Sequence, residues 1–128
     1  MTIGWCFQDK ADARTEAALE ALADGEAFVP AIWPLEVANV LLVAERRDRL
    51  SRAEIGRFVK LLGALPIVVE EIPFSLAMSD VLSRAREYGL SAYDAAYFNL
   101  AARRGLPLAT RDSALQAACR KGGVSLMR

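Results

Sequence analysis

The chain has 128 residues, 54% of them hydrophobic and 25% charged, which is enough apolar material for one domain with its own core and too much for a disordered chain. Lysine plus arginine and aspartate plus glutamate each number 16, so no global positive field marks a duplex-coating protein. No apolar run approaches the roughly 20 residues that span a bilayer, and the opening MTIGWCFQDK lacks the basic start of a secretory signal, so a soluble, cytoplasmic protein with no membrane partner is expected.

The first segment with helical spacing is Asp12 to Ala23, which stops at the Asp24-Gly25 turn signal. Ala27-Phe28-Val29 follows as a short buried strand, and Pro30 suits its end better than its middle. From Pro34 to about Arg47 a long helix is predicted, with proline in the first turn, where a missing N–H costs nothing, and with Arg46 and Arg47 at the end that favours positive charge. Ser51 opens another helix, and Glu54 completes a capping box with it. Pro66 to Glu70 reads as a β-branched strand. A helix from about Pro73 to Tyr88 closes at Gly89, and the next, Ser91 to Arg104, has Asp94 in its opening turn and closes at Gly105. Leu106 to Thr110 predicts a strand, Asp112 begins a last helix that stops at Gly122-Gly123, and Val124-Ser125-Leu126 predicts a terminal strand.

Short strands alternating with helices imply an α/β fold with a mostly parallel sheet and right-handed crossovers. No linker or repeat interrupts it, so residues 1–128 are read as a single domain. In such sheets ligands bind beyond the carboxyl ends of the strands. Glu36 falls in the first turn of the helix that follows the strand at Phe28. Asp112 directly follows the strand ending at Thr110, and Asp94 opens the helix whose far end feeds that strand. Topology thus assigns Glu36, Asp94 and Asp112 to one rim. Each acid also fits a plain structural role, because carboxylates in a first helical turn complement the dipole and cap free N–H groups.

Two details favour a shared site. Glu36 stands in the apolar stretch IWPLEVANVLLV, so its carboxylate is expected in a partly desolvated place with a partner. Asp94 lies in SAYDAAYFNLAA, where small neighbours leave room beside it. Two carboxylates about 5 Å apart at an effective dielectric of 20 repel by roughly 3 kcal/mol, so three together call for a counterion. The chain has no histidine, and Cys6 and Cys119 are read as separate reduced thiols. Oxygen donors alone point to Mg²⁺ or Mn²⁺, and such an ion suits phosphodiester hydrolysis.

The segments VPAIWPLEVANVLLVAERR, GLSAYDAAYFNLAARRGLPLATRD and SALQAACRKGGV resemble PIN-domain ribonucleases, specifically the VapC toxins of bacterial type II toxin–antitoxin systems. The resemblance implies a PIN-like (Rossmann-like) three-layer α/β/α fold and a Mg²⁺- or Mn²⁺-dependent endoribonuclease acting on RNA, commonly a homodimer and neutralised by a VapB-type antitoxin. It assigns the family's metal-binding and catalytic acids to Glu36, Asp94 and Asp112, and a hydroxyl near the metal to Thr110. It also implies a departure. Family members begin with a central strand ending in aspartate, followed by a helix that TIGWCFQDK resembles, so the first central strand and its aspartate are expected to be absent. A start codon placed downstream of the true one, a sheet closed differently, or a strand supplied by another chain would each account for this. Asp9 and Asp12 are read as solvated surface acids rather than substitutes.

Around this set, Asn39 is predicted one helical turn beyond Glu36, as a hydrogen-bond partner of that carboxylate or of a metal-bound water. Arg111 is a candidate RNA phosphate contact, while Arg46, Arg47 and Arg49 are read as a solvated helix end. Most of Trp5, Trp33, Tyr93 and Tyr97 are expected in core or dimer packing rather than in base stacking. The leading expectation is a VapC-like ribonuclease. The alternatives are a catalytically impaired PIN-like module that binds or oligomerises, and, more distantly, an α/β domain whose acids are only caps.

Overall fold

Alternation of short apolar and longer helical segments produces an α/β fold with a small parallel sheet and mostly helical content; the computed structural model describes residues 2–3 and 26–127. In chain order the elements are β1 (Thr2–Ile3), β2 (Ala27–Pro30), α1 (Trp33–Arg46), α2 (Arg52–Gly63) and β3 (Ile67–Glu70). A continuous helical run follows, Phe74–Leu76, Ala77–Val81 and Leu82–Tyr88, together α3, whose middle stretch is wound as a π-helical turn. Then come α4 (Ala92–Arg104), β4 (Leu108–Ala109) and α5 (Ser113–Gly122). The predicted helix over Asp12 to Ala23, together with Trp5, Cys6, Asp9 and Asp12, lies outside the described residues.

All strand pairing among the described residues is parallel. Ala27 to Pro30 pair in register with Ile67 to Glu70, and Thr2 and Ile3 pair with Leu108 and Ala109. This corrects one expectation. The resemblance placed TIGWCFQDK in a helix and left the central strand position empty, whereas Thr2–Ile3 form a two-residue strand on β4 that also lies beside β2. Thr2 and Ile3 are β-branched and Gly4 follows them, a pattern that disfavours a helix at this point. The predicted terminal strand contracts to a single parallel bridge between Leu126 and Leu108, in which the Leu108 N–H donates to the Ser125 carbonyl and the Met127 N–H to the Leu108 carbonyl.

The core is organised by α4. Seven consecutive residues, Ala95 to Ala101, are buried, which an amphipathic surface helix never shows and which marks a helix covered on all sides. Its alanines allow the close approach. Of the small residues around Asp94, Ala95 and Ala96 are buried. On one side α4 packs on β1, β2 and β4, and α3 and α5 pack against it elsewhere. It ends where Gly105 takes a left-handed φ of 63°. Beside that end, Arg103 and Arg104 donate to Glu70 at the end of β3, at 3.2 and 2.5 Å, and the Arg104 guanidinium lies 4.1 Å from the centre of the Phe28 ring. Burial alone would raise the Glu70 pKa, but these hydrogen bonds win and hold it below the usual glutamate value.

The Ser51 box is present as read: the Glu54 N–H donates to Ser51 Oγ at 3.1 Å, and the Ser51 N–H to Glu54 Oε1 at 3.0 Å. Cys119 is buried and unbridged, the separate thiol read from the sequence, and burial pushes its thiol up to about 11, which disfavours the reactive thiolate.

Gly122, in the last turn of α5, has no room for a side chain. A Cβ there would lie 2.5 Å from Phe98 Cζ and 2.7 Å from the Tyr88 hydroxyl, and Phe98 is fully buried. Alanine returns up to about 1 kcal/mol of helix propensity, while overpacking costs about 1–3 kcal/mol. Gly122→Ala is therefore expected to lower stability by about 1 kcal/mol in urea denaturation, although alanine is the better helix former.

Candidate functional site

Three helix starts deliver acidic side chains towards the carboxyl edge of the sheet. Glu36 lies in the first turn of α1, just beyond the end of β2. Asp94 lies in the first turn of α4, where its N–H donates to Ser91 Oγ at 3.1 Å. Asp112 is the N-cap of α5, its Oδ1 accepting from the Leu115 N–H at 2.8 Å. The capping role considered from the sequence is thus real for Asp112. It does not exhaust the electrostatics of the group. The Asp94 pKa is raised above the usual aspartate value, first by burial and then by the negative charges of Asp112 and Glu36, with a hydrogen bond from Ser91 partly opposing. Two acids remote in sequence thus bear on Asp94 through space.

Glu36 differs from its expectation in surroundings but not in having a partner. It is exposed rather than desolvated, because the apolar side chains around it in sequence point elsewhere: Trp33, Val37 and Leu41 carry the buried face of α1. Its Oε1 accepts a hydrogen bond from the hydroxyl of Tyr97, a residue only 6% exposed. Asn39 is exposed and makes no hydrogen bond to Glu36. Of the two roles expected for Asn39, the direct bond to Glu36 is not formed, and a residue on α4 supplies that bond instead. Sequence reasoning missed this contact of Tyr97 with Glu36, although Tyr97 stands three residues after Asp94 and so shares its helix face.

Thr110 shapes the turn that presents Asp112. Its Oγ1 accepts from the Asp112 N–H at 3.1 Å, and its carbonyl accepts from the Gln116 side chain at 2.9 Å. Arg111, between the two, is exposed. Arg46, Arg47 and Arg49 are exposed at the far end of α1, about 15 Å along the helix from Glu36 at 1.5 Å per residue, too distant to belong to this rim. Of the aromatics, Trp33 and Tyr97 are buried as expected, but Tyr93 is 64% exposed beside Asp94.

By residue chemistry and charge alone, three carboxylates with no nitrogen or sulfur would suit a hard divalent cation. Their spacing is open. Among the described residues no three acidic or thiol side chains come together closely enough to hold a metal ion. Water would have to complete any coordination shell, as it commonly does for Mg²⁺. Among the described residues, no helix is long and apolar enough to cross a membrane.

Comparison with known proteins adds two findings. A family model described as PIN domain matches residues 3–121. The solved structure of PAE2754 from Pyrobaculum aerophilum is similar, with 29% sequence identity and a TM-score of 0.64 over 83% of this chain and 69% of that one. Comparison with curated proteins gave no significant match.

The crowding at Asp94 has a measurable sign. A carboxyl whose pKa is higher in the folded than in the unfolded chain adds stability below its unfolded pKa, and that contribution is lost as pH rises through the folded value. Asp94→Asn is therefore expected to melt higher than the unsubstituted protein at neutral pH in a chelator, with the difference shrinking as pH falls towards the ordinary aspartate range of about 4. Equal melting temperatures across that range would show that the charges do not oppose one another.

Proposed function

The chain belongs to the PIN domain family, and on that premise we propose that it is a divalent-metal-dependent endoribonuclease of the VapC toxin kind, cutting RNA phosphodiester bonds and neutralised by a VapB-type antitoxin. Family membership supports nuclease activity and dependence on a divalent metal. What supports assigning the reading to particular residues is the placement of Glu36, Asp94 and Asp112 at three helix starts, with the Asp94 pKa raised first by burial and then by the charges of Asp112 and Glu36.

Glu36, Asp94 and Asp112 are the residues that would hold Mg²⁺ or Mn²⁺. The chemistry supplied by such an ion is the activation of water and the neutralisation of charge on a phosphate under attack. The chain's own groups orient the site. Leu115 fixes one oxygen of Asp112 through its N–H, Tyr97 holds Glu36, and the Thr110 hydroxyl sets the turn between strand and helix. Arg111, exposed next to Asp112, is suited to an RNA phosphate. Exposed apolar side chains such as Leu35 and Phe74, at 74% and 80%, support covered surfaces in a homodimer or an antitoxin complex.

A second reading, a binding or oligomerisation module with little catalysis, is favoured by the open spacing of the acids. One assay separates the two. With Mg²⁺ or Mn²⁺ the purified protein is expected to cleave RNA, to stop in EDTA, and to lose about 100-fold or more in rate in Asp94→Asn and Asp112→Asn, the usual scale for removing a group that stabilises transition-state charge. Cleavage undiminished by EDTA would overturn the metal-dependent mechanism. Absence of cleavage by folded protein with either metal would favour the second reading.

A further inference from the structure

The turn between α1 and α2 concentrates charge that the rest of the chain balances. Arg46-Arg47-Asp48-Arg49-Leu50-Ser51-Arg52 sets four arginines against one aspartate, in a chain whose basic and acidic residues each number 16. The backbone beneath them is fixed. Asp48 reverses the chain with a left-handed φ of 56°, and the N–H groups of Asp48 and Arg49 donate back to the Glu45 and Ala44 carbonyls at 3.0 and 2.9 Å. Leu50 packs on the core, and the Ser51–Glu54 box opens α2. The four arginine side chains stay in solvent. Among the described residues, Arg52 has the one ion pair of the four, to Glu45 at 3.8 Å, and Arg46, Arg47 and Arg49 have none. Glu54, the next acid along, already accepts from the Ser51 N–H. The dipole of α1 accounts for a cation in its last turn, Arg46, but its effect fades beyond that turn and does not account for Arg49 and Arg52.

The electrostatics of an RNA substrate give these charges a use. α1 carries Glu36 in its first turn and Arg46 in its last, about 15 Å apart at 1.5 Å per residue, so the helix is acidic at one end and basic at the other. Carboxylates offer a polyanion no attraction, and a chain of zero net charge supplies none at long range. RNA must then be held by a local cluster of cations. We infer that the α1–α2 turn is an RNA-docking surface, at which Arg47 and Arg49, with Arg46 and Arg52 beside them, neutralise backbone phosphates of a single strand. The inference rests on the RNA-cleaving reading above and adds where the strand is gripped, at a distance from the acids. Guanidinium groups suit phosphate oxygens in paired hydrogen bonds, and contacts of this kind position a strand without selecting its sequence.

The test measures binding apart from cleavage: fluorescence anisotropy of a labelled single-stranded RNA with the full chain in EDTA, over a series of KCl concentrations, with melting curves on every variant. The double variant Arg47→Gln/Arg49→Gln is expected to bind about 10-fold more weakly at about 50 mM salt, and to flatten the slope of log affinity against log salt by about 1.4, from two phosphates at about 0.7 each. Arg47→Lys/Arg49→Lys keeps both charges and is expected to retain the slope. Arg120→Gln/Lys121→Gln removes two exposed cations from the end of α5 and is expected to change neither affinity nor slope. Equal losses in the two glutamine variants would show an effect of net charge alone and overturn the inference. Unchanged RNA binding in Arg47→Gln/Arg49→Gln would overturn it too, leaving the turn to an acidic protein partner, and so would absence of RNA binding by the unsubstituted protein. The nuclease reading is judged separately by cleavage with Mn²⁺ or Mg²⁺: RNA held through the turn but never cut would remove that reading and leave the docking surface standing.

Discussion

Everything described depends on burying α4. A helix with seven successive buried residues cannot be accommodated at the surface, so β1, β2 and β4, with α3 and α5, are arranged around it. The consequences reach both of its ends. At the start, the same burial that stabilises the core raises the cost of charge on Asp94. At the finish, Arg103 and Arg104 reach back to Glu70 and tie the helix to the neighbouring strand pair. One end of α4 accumulates unfavourable charge, while the other satisfies its charges fully.

That asymmetry is what separates a structural acid from a functional candidate. Glu70 is matched by two arginines, and its pKa falls. Asp94 faces two further acids, and its pKa rises. Both are carboxylates touching the same helix, so residue type alone does not distinguish them; their surroundings do. A folded chain that retains repulsion of this kind gives up stability locally, a pattern typical of sites whose role lies in binding or chemistry rather than in packing.

Much of this was legible in the sequence because the signals were local. The Ser51 box, the stop at Gly105 and the proline at the end of β2 depend on contacts a few residues apart, and the order of strands and helices then assigns Glu36, Asp94 and Asp112 to one edge. What was not legible depended on distant partners or on small elements. Periodicity does not reveal that Tyr97, rather than Asn39, reaches Glu36, since the bond joins two helices 61 residues apart in the chain. The apolar neighbours of Glu36 suggested burial, but on a helix they turn to a different face, leaving Glu36 in solvent. β1 is only two residues long, below the length at which alternation is readable, and the strand expected after Gly123 needed a longer partner than β4 provides.

Asp112 carries a last implication. One of its oxygens closes the start of α5 and is held at 2.8 Å by a backbone N–H, which leaves the other as a single-point donor whose aim is as stiff as the helix it caps. The carboxyl group is shared between the scaffold and the rim. Anything that draws on the outward oxygen also steadies the first turn of α5, and anything that frays that turn lets the oxygen swing away. Loss of the Asp112 cap and fraying of the final helix are in this sense one equilibrium viewed from opposite ends.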